Sequence, residues 1–221
     1  MDSARIAALL APFLNESEPL AAVDLSNIST YIDILQRWNA RINLTAILDP
    51  EQIVTRHFGE SLFAARHLFP SRTIAEVIAV ADVGSGAGFP GIPIKLWAPR
   101  IHLTLIESNH KKATFLREVA RGLTLTGIDI QNTRAEFFSS ASFDLVTLRA
   151  VERFETVLTT AATLVRPAGR LALLIGSAQA PRIHSALRDF HCSAPLPIPS
   201  SRALVLLICH RGENPASQPV V

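Results

Sequence analysis

The residues with the clearest chemical potential form a dense run of glycines. Gly84, Gly86 and Gly88 alternate with small residues, and Asp82 precedes them at the end of an apolar run over 77–83. Glycines let the backbone turn tightly and let a ligand approach the main chain closely. A buried strand followed by such a turn and a helix is typical of a nucleotide site, and the alternative is a tight turn that binds no ligand.

A carboxylate follows at the end of the next apolar run, 101–107. In nucleotide sites an acidic residue in this place accepts hydrogen bonds from the ribose hydroxyls, so Glu107 supports the same interpretation. The alternative is a solvated carboxylate at a strand end. The pair is compatible with NAD, FAD or S-adenosylmethionine. Two features favour the last: Asp82 can offset a sulfonium and an α-amino group, and Gly88 comes earlier than in the dinucleotide pattern.

The elements that must position these groups follow from hydrophobic periodicity. Apolar residues at helical spacing predict helices over 3–69, and Asp49 followed by Pro50 is typical of a helix start. From residue 77 short apolar runs alternate with helical segments, which predicts a right-handed βαβ series and a parallel sheet. The predicted strands are 77–83, 101–107, 128–133, 143–148, 170–175 and 203–209, and helices are predicted around 115–123, 154–166 and 180–190.

These elements predict an α/β fold with a mostly parallel sheet, preceded by helices. We expect the last strand to pair antiparallel at the sheet edge. The predicted division is an N-terminal helical extension over 1–72, packed on an α/β core over 73–211, and a flexible tail over 212–221.

The charge, the hydrophobic pattern and the cysteines limit the classes of function that the sequence can have. The 221 residues carry a net charge of +2, which does not by itself indicate a nucleic-acid binder. The N-terminus lacks the pattern of a secretory signal, and no apolar run reaches the roughly 18 residues of a membrane helix, so we expect a soluble cytoplasmic protein. Cys192 and Cys209 form no metal-ligand spacing, and we expect both to be reduced.

Several segments carry a family resemblance. They are WNARINLTAI at 38–47, RHFGESL at 56–62 and DVGSGAGFPGIP at 82–93, followed in order by Lys111-Lys112 with Phe115-Leu116, Arg134-Ala135-Glu136, and Phe143-Asp144 with Arg149-Ala150. In this order, over residues 31–176, they resemble the small-subunit ribosomal RNA methyltransferase G family, also called the glucose-inhibited division protein B family.

This resemblance implies a class I methyltransferase fold. It also implies transfer of a methyl group from S-adenosyl-L-methionine to N7 of one guanosine in 16S ribosomal RNA. The family's cofactor contacts fall on Gly84, Phe89, Ala135, Glu136 and Arg149. With the residues of the glycine turn and strand ends, the predicted cofactor set is Asp82, Gly84, Ser85, Gly86, Phe89, Glu107, Ala135, Glu136 and Arg149.

The implied chemistry needs no general base, because guanine N7 has a free lone pair at neutral pH. It needs in-line placement of the base in a dry site. The catalytic candidates that line the base pocket are Asn39, Asn43, His57 and Arg149, with Thr45 beside them. Asn39 and Asn43 lie on one face if their helix continues; otherwise they cap the helix and fix the loop. His57 is alternatively a hydrogen-bonded residue between helices.

The implied partner is 16S ribosomal RNA or the small ribosomal subunit, and nothing in the sequence demands more than a monomer. The RNA-binding candidates are basic residues that can contact phosphates: Arg41, Lys111, Lys112 and Arg117, within a wider set that includes Arg37, Arg56 and Arg153. Each of them is alternatively a solvated surface charge.

Two departures from the family pattern bear on the site. Gly59-Glu60 stands where the family has a residue followed by Asp, and Gly59 should weaken its helix by about 1 kcal/mol. Ile175-Gly176 stands where the family commonly has Lys-Gly. If that Lys contacts RNA or substrate in the family, this protein lacks the contact, which bears on substrate binding more than on cofactor binding. The alternatives left open are a methyltransferase of another substrate, an NAD-dependent oxidoreductase, and a relative that binds nucleotide or RNA without catalysis.

Overall fold

The computed structural model describes residues 1–15, 19–149 and 154–213. Within these ranges the strands form one sheet of eight strands, in the order β3-β2-β1-β4-β5-β8-β6, with β7 paired to β8. The strands are β1 Ala79–Val83, β2 His102–Ile106, β3 Ile128–Gln131, β4 Phe143–Arg149, β5 Val165–Gly176, β6 Phe190–Cys192, β7 Leu196–Pro197 and β8 Leu204–Arg211. Of the predicted segments, Ala150, Arg153 and residues 214–221 lie outside the described part.

The helices fall where the apolar periodicity predicts them, in shorter pieces. They are α1 Ser3–Leu10, α2 Ala22–Asn39, α3 Pro50–Ile53, α4 Glu60–Leu68, α5 Gly91–Trp97, α6 His110–Gly122, α7 Phe154–Leu164 and α8 Ala180–Ala186. A π-helical segment, Val54–Gly59, joins α3 to α4. The predicted N-cap Asp49 is confirmed, since its side chain accepts a hydrogen bond from the Gln52 N–H at 2.9 Å.

The sheet has a topological switch point between β1 and β4. Strands β1 to β5 all run parallel, and the chain moves outward from β1 to β3 on one side and from β4 to β5 on the other. In such sheets ligands bind in the crevice beyond the carboxyl ends of the strands at the switch point. The glycine turn follows β1, so the fold places it in this crevice.

The last strand pairs antiparallel with β5, as predicted, but it is not at the sheet edge. Strand β6 and the two-residue strand β7 both pair with β8 on its other side. Neither short strand was predicted, because they hold too few residues to show an alternating pattern.

The prediction of two reduced cysteines was wrong. Cys192 in β6 lies directly opposite Cys209 in β8, and the two form a disulfide. Their spacing in the sequence did not indicate a pair, because the strand that brings Cys192 to its partner was itself not predicted.

Two apolar clusters cover the two faces of the sheet. Along each strand successive side chains enter opposite clusters, so that Val80 packs on one face and Ala81 on the other. The first cluster also contains the apolar faces of α1, α2, α4, α5 and α6, and the second contains those of α7 and α8. The N-terminal helices thus share one core with the parallel sheet, and the division at residue 72 stays a prediction.

Gly59 has a packing role that helix propensity does not reveal. A Cβ at this position would come within 2.6–2.8 Å of three ring atoms of Phe13, which is itself 1% exposed. The missing side chain therefore lets the segment after α1 lie directly against the π-helical segment. At Gly59, where the sequence departs from the family pattern, the ring of Phe13 occupies the space that a side chain would need.

We predict that Gly59→Ala lowers the free energy of unfolding by about 1–3 kcal/mol, because the added methyl group overpacks the core against Phe13. Helix propensity alone predicts the opposite sign, a gain of about 1 kcal/mol. Urea denaturation measures the change. In a Phe13→Leu background the same substitution should cost less, and an equal cost in both backgrounds would exclude Phe13 as the cause.

Candidate functional site

The carboxyl ends of β1, β2 and β4 border a cavity of about 640 Å³. Of the residues predicted to bind cofactor, all but Asp82 line it: Gly84, Ser85, Gly86, Phe89, Glu107, Ala135, Glu136 and Arg149. His57 and Lys112 also line the cavity, as do Leu44 and Thr45 from the loop after α2. The remaining catalytic and RNA-binding candidates do not line the cavity; they are Asn39, Asn43, Arg41, Lys111 and Arg117.

Glu107 holds the glycine turn from the end of β2. The Gly86 N–H donates to Glu107 Oε2 at 2.9 Å, and the Asn109 N–H donates to Oε1 at 2.7 Å. The turn needs glycine because the backbone takes φ values of +68° at Gly84 and +54° at Gly86. One carboxylate therefore fixes both the turn and the start of α6, and its remaining lone pairs can accept further hydrogen bonds.

Asp82 lies behind the turn rather than in the cavity. It is 1% exposed, and its carboxylate accepts hydrogen bonds from Thr147 Oγ1 at 2.7 Å and from the Gly91 N–H at 3.3 Å. Burial raises the pKa of Asp82 to about 6, against the opposing effect of these hydrogen bonds. The carboxylate of Asp82 joins β1, β4 and α5, and its predicted role in offsetting a sulfonium and an α-amino group stays a prediction.

Four aromatic rings connect the N-terminal helices to the glycine turn. Phe89 lies between Tyr31, stacked at 5.3 Å between centroids, and His57, stacked at 4.8 Å. Phe58 packs edge-on against Phe89 at 5.1 Å. The Tyr31 hydroxyl donates to the carbonyl oxygen of Ala87. The sequence pattern assigned Tyr31 only to a helix face, so its contact with the turn was missed.

Arg149 joins the end of β4 to the π-helical segment. Its Nη2 donates to Glu60 Oε2 and to the carbonyl oxygen of Arg56, each at 2.6 Å. Burial raises the pKa of Glu60 and lowers that of Arg149, while the attraction between the two charges opposes both shifts. The longer acid at position 60, a departure from the family pattern, thus makes this ion pair. The Nη1 atom of Arg149 is the one buried side-chain nitrogen or oxygen within the described ranges that has no hydrogen-bond partner.

His57 is neutral where it lines the cavity. Burial lowers the pKa of His57 to about 3, and the nearby charges of Arg149 and Arg56 add to the effect. Its Nε2 lies 2.8 Å from Thr45 Oγ1, and its Nδ1 lies 3.4 Å from Arg149 Nη2. An imidazole in this setting can form hydrogen bonds and stack, but it does not exchange protons near neutral pH.

The helix α2 ends at Asn39, so the condition that would place Asn39 and Asn43 on one helical face is not met. Asn39 instead fixes the loop: its Oδ1 accepts from the N–H groups of Leu44 and Thr45 at 2.8 and 3.0 Å, and its Nδ2 donates to the Thr45 carbonyl at 2.9 Å. Asn43 is exposed. The structure supports the alternative that Asn39 positions the loop, and its predicted catalytic role stays a prediction.

The RNA-binding candidates lie outside or at the rim of the cavity. Lys112 lines it from the first turn of α6, and Lys111 beside it is exposed. Arg117 is exposed further along the same helix, and Arg41 is exposed after α2. No helix in the described ranges is both long and apolar enough to cross a membrane. The same ranges contain no cluster of three or more His, Cys, Asp or Glu side chains placed to hold a metal ion.

Residues 24–200 match the family model described as GidB, rRNA small subunit methyltransferase G. The chain belongs to this family. Among the relatives of that name, the protein from Exiguobacterium sp. is 43% identical over 65% of this chain and 60% of its own length. The protein from Bacillus pumilus is 37% identical over 72% of this chain and 67% of its own, and that from Xylella fastidiosa (strain 9a5c) is 39% identical over 66% of each. The matched part thus spans about two thirds or less of these relatives.

Solved methyltransferase structures share the fold of this GidB family member. Magnesium protoporphyrin IX methyltransferase from Synechocystis PCC 6803, solved with bound SAM, gives a TM-score of 0.63 at 15% identity over 84% of this chain and 97% of that one. A SAM-dependent methyltransferase from Aquifex aeolicus gives 0.56 at 13% identity over 74% and 94%. These likenesses confirm the class I methyltransferase fold that the sequence resemblance implied.

We predict that the neutral His57 makes the fold sensitive to acid. Because its pKa is near 3 in the folded state and near 6.5 when unfolded, the unfolded chain binds the extra proton between these values. The free energy of unfolding should therefore fall as pH decreases from about 6.5 toward 3, by up to about 1.4 kcal/mol per pH unit from this group. In His57→Gln the decrease measured by urea denaturation between pH 7 and pH 4 should be less steep.

The control His191→Gln removes an exposed histidine from β6 and reports the effect of losing an imidazole as such. Equal steepness in wild type and His57→Gln would contradict the assignment of a neutral, buried His57.

Proposed function

We propose that this protein transfers a methyl group from S-adenosyl-L-methionine to N7 of a specific guanosine in the small-subunit ribosomal RNA. The observation that carries the proposal is the cavity at the switch point, where the glycine turn, Glu107 and Arg149 meet the N-terminal residues Thr45 and His57. Membership of a family described as rRNA small subunit methyltransferase G supports the small-subunit ribosomal RNA as the substrate. A monomer acting in the cytoplasm belongs to the same proposal.

The residues of the cavity fit the cofactor. Glu107 stands at the end of β2, where a carboxylate accepts hydrogen bonds from ribose hydroxyls, and Ala135 and Glu136 lie beyond it beside β3. At the other end of the cavity, Arg149 supplies a guanidinium charge that matches the α-carboxylate of the methionyl group. These two anchors set the direction of the cofactor from the β3 side to the β4 side.

S-adenosyl-L-methionine supplies a methyl group on a sulfonium, which the N7 lone pair attacks while the electrons of the broken carbon–sulfur bond stay on sulfur. The nucleophile loses no proton in this step, so the protein's task is placement and exclusion of water. Phe89, Leu44 and the neutral His57 give the β4 side of the cavity apolar surfaces and a π-face for a base that gains positive charge. The low pKa of His57 fits a role in shape rather than in proton transfer.

The test is methylation of ribosomal substrates by the purified protein. Small subunits and naked 16S ribosomal RNA from cells that lack the enzyme are incubated with methyl-labelled S-adenosyl-L-methionine, and N7-methylguanosine is mapped by chemical cleavage. We expect label at one guanosine in at least one substrate. Label in protein only, or binding of S-adenosylhomocysteine without any transfer to RNA, would reject the proposal in favour of another substrate or a non-catalytic relative.

We predict that Glu107→Gln weakens cofactor binding. The amide offers one acceptor oxygen where the carboxylate offers two, so either Gly86 or Asn109 loses its partner and the ribose faces a weaker acceptor. A lost hydrogen bond to a charged group corresponds to about 1.5–3 kcal/mol, or roughly a 10- to 100-fold higher Kd. Isothermal titration with S-adenosylhomocysteine measures it, with Glu118→Gln as a control outside the cavity. An unchanged Kd in a folded Glu107→Gln protein would remove Glu107 from the site.

A second prediction concerns Lys111 and Arg117, two exposed basic residues of α6. If both contact phosphates, the Lys111→Ala/Arg117→Ala variant should bind 16S ribosomal RNA with a slope of log K against log salt that is less steep by roughly 0.7–0.9 per lost contact. The control Arg182→Ala removes an exposed arginine from α8, on the other face of the sheet. An unchanged slope in the double variant would place the RNA on another surface.

A further inference from the structure

The hydroxyl group of Thr45 has two hydrogen-bonding neighbours. Its Oγ1 accepts from the Ile47 N–H at 3.1 Å and lies 2.8 Å from Nε2 of His57. A threonine hydroxyl has two acceptor lone pairs and one O–H donor. If Nε2 carries the histidine proton, both lone pairs are filled and the O–H bond has no protein acceptor within the described ranges.

The surroundings of His57 decide which nitrogen carries the proton. Nδ1 lies 3.4 Å from Nη2 of Arg149, and a guanidinium nitrogen donates hydrogen bonds but never accepts them. Both protons of Nη2 are donated to Glu60 and to the carbonyl oxygen of Arg56, so the guanidinium acts on Nδ1 through its positive charge, which repels a proton there and attracts a lone pair. The carbonyl oxygen of Arg56 is the competing acceptor for an Nδ1 proton, and its effect on the pKa of His57 is smaller than that of the Arg149 charge. The charge of Arg149 therefore favours the tautomer whose single proton is on Nε2 and points at Thr45.

The loop geometry holds this hydroxyl in place. Asn39 clamps the backbone of Thr45 on both sides, through the Thr45 N–H at 3.0 Å and its carbonyl oxygen at 2.9 Å. Thr45 lines the cavity together with His57 and Arg149, on the β4 side and away from Ala135 and Glu136. The proposed function puts the reacting base at this end. With the proton of His57 on Nε2, Thr45 thus presents a fixed hydrogen-bond donor at this end of the cavity.

We propose that the Thr45 hydroxyl donates a hydrogen bond to O6 of the target guanine and thereby selects guanine against adenine-type bases. This inference rests on the proposed function. O6 is next to N7 on the same edge of guanine and is an acceptor, whereas adenine carries an amino donor at the corresponding position. A donor placed at O6 leaves N7 free for methylation, and it meets adenine with two opposed donors.

The role of Thr45 is selection rather than acceleration. During transfer the N7 lone pair becomes the new nitrogen–carbon bond, and Thr45 keeps its proton throughout. A hydrogen bond to O6 draws electron density from a base that is becoming positive, so it cannot increase the reactivity of N7. It acts by admitting the correct base, and a site built to hydrogen-bond a substrate rejects analogues that lack the partner group.

The experiment compares two target bases in wild type and in Thr45 variants. Small-subunit RNA is assembled with either guanosine or 2,6-diaminopurine riboside at the mapped target. The second base keeps N7 and replaces O6 by an amino group. Single-turnover methylation gives a guanosine-to-diaminopurine rate ratio for each protein. We expect Thr45→Val to lower this ratio at least 10-fold and Thr45→Ser, which keeps the hydroxyl, to retain it within about 3-fold of the wild-type value.

Loss of the loop contacts alone would slow both substrates together and leave the ratio unchanged, which would overturn the inference. If Thr45→Val does not fold, Thr45→Ala is measured against the same expectation. With wild type, 2-aminopurine riboside at the target lacks any group at position 6, and it should methylate more slowly than guanosine; equal rates would also overturn the inference. If wild type forms no N7-methylguanosine at all, the proposed function itself fails, and the two failures are thereby distinguished.

Discussion

The cavity depends on the stack in which Phe89 lies between Tyr31 and His57. Phe89 belongs to the glycine turn, whereas both of its partners come from N-terminal helical segments. Tyr31 is fully buried, and its hydroxyl also donates to the backbone of the turn. This one residue therefore fixes both the ring of Phe89 and the main chain of the turn. Aromatic stacking of this kind stabilises by about 0.5–1.5 kcal/mol beyond burial. The N-terminal helices therefore form a wall of the site instead of a separate appendage.

The buried charges of this wall are paired. Glu60 and Arg149 form a buried ion pair, and burial keeps His57 neutral beside it. The side chain of Glu60 reaches Nη2 of Arg149 at 2.6 Å. The buried Nη1 atom of Arg149 remains without a hydrogen-bond partner in the described part of the chain.

The sequence predicted the parallel sheet, and it placed the glycine turn and Glu107 at strand ends that border the cavity. The glycine turn and Glu107 are local features. Each can be recognised from the residues at the end of a single strand. The base side was not predictable in the same way. Tyr31 meets Phe89, and Glu60 meets Arg149, over sequence separations that no periodicity encodes. The sequence left two alternative roles for Asn39. The disulfide of Cys192 and Cys209 was missed because a three-residue strand carries too little pattern.

The central claim, that the N-terminal helices and the parallel sheet form one binding site, is tested most directly by hydrogen exchange. Mass spectrometry would follow amide exchange in the full chain with and without S-adenosylhomocysteine. The account predicts slower exchange on binding in the glycine turn at 84–91 and, in the same protein, at 44–47 and 57–60. Slower exchange confined to residues 79–149, with 44–47 and 57–60 unchanged, would contradict it.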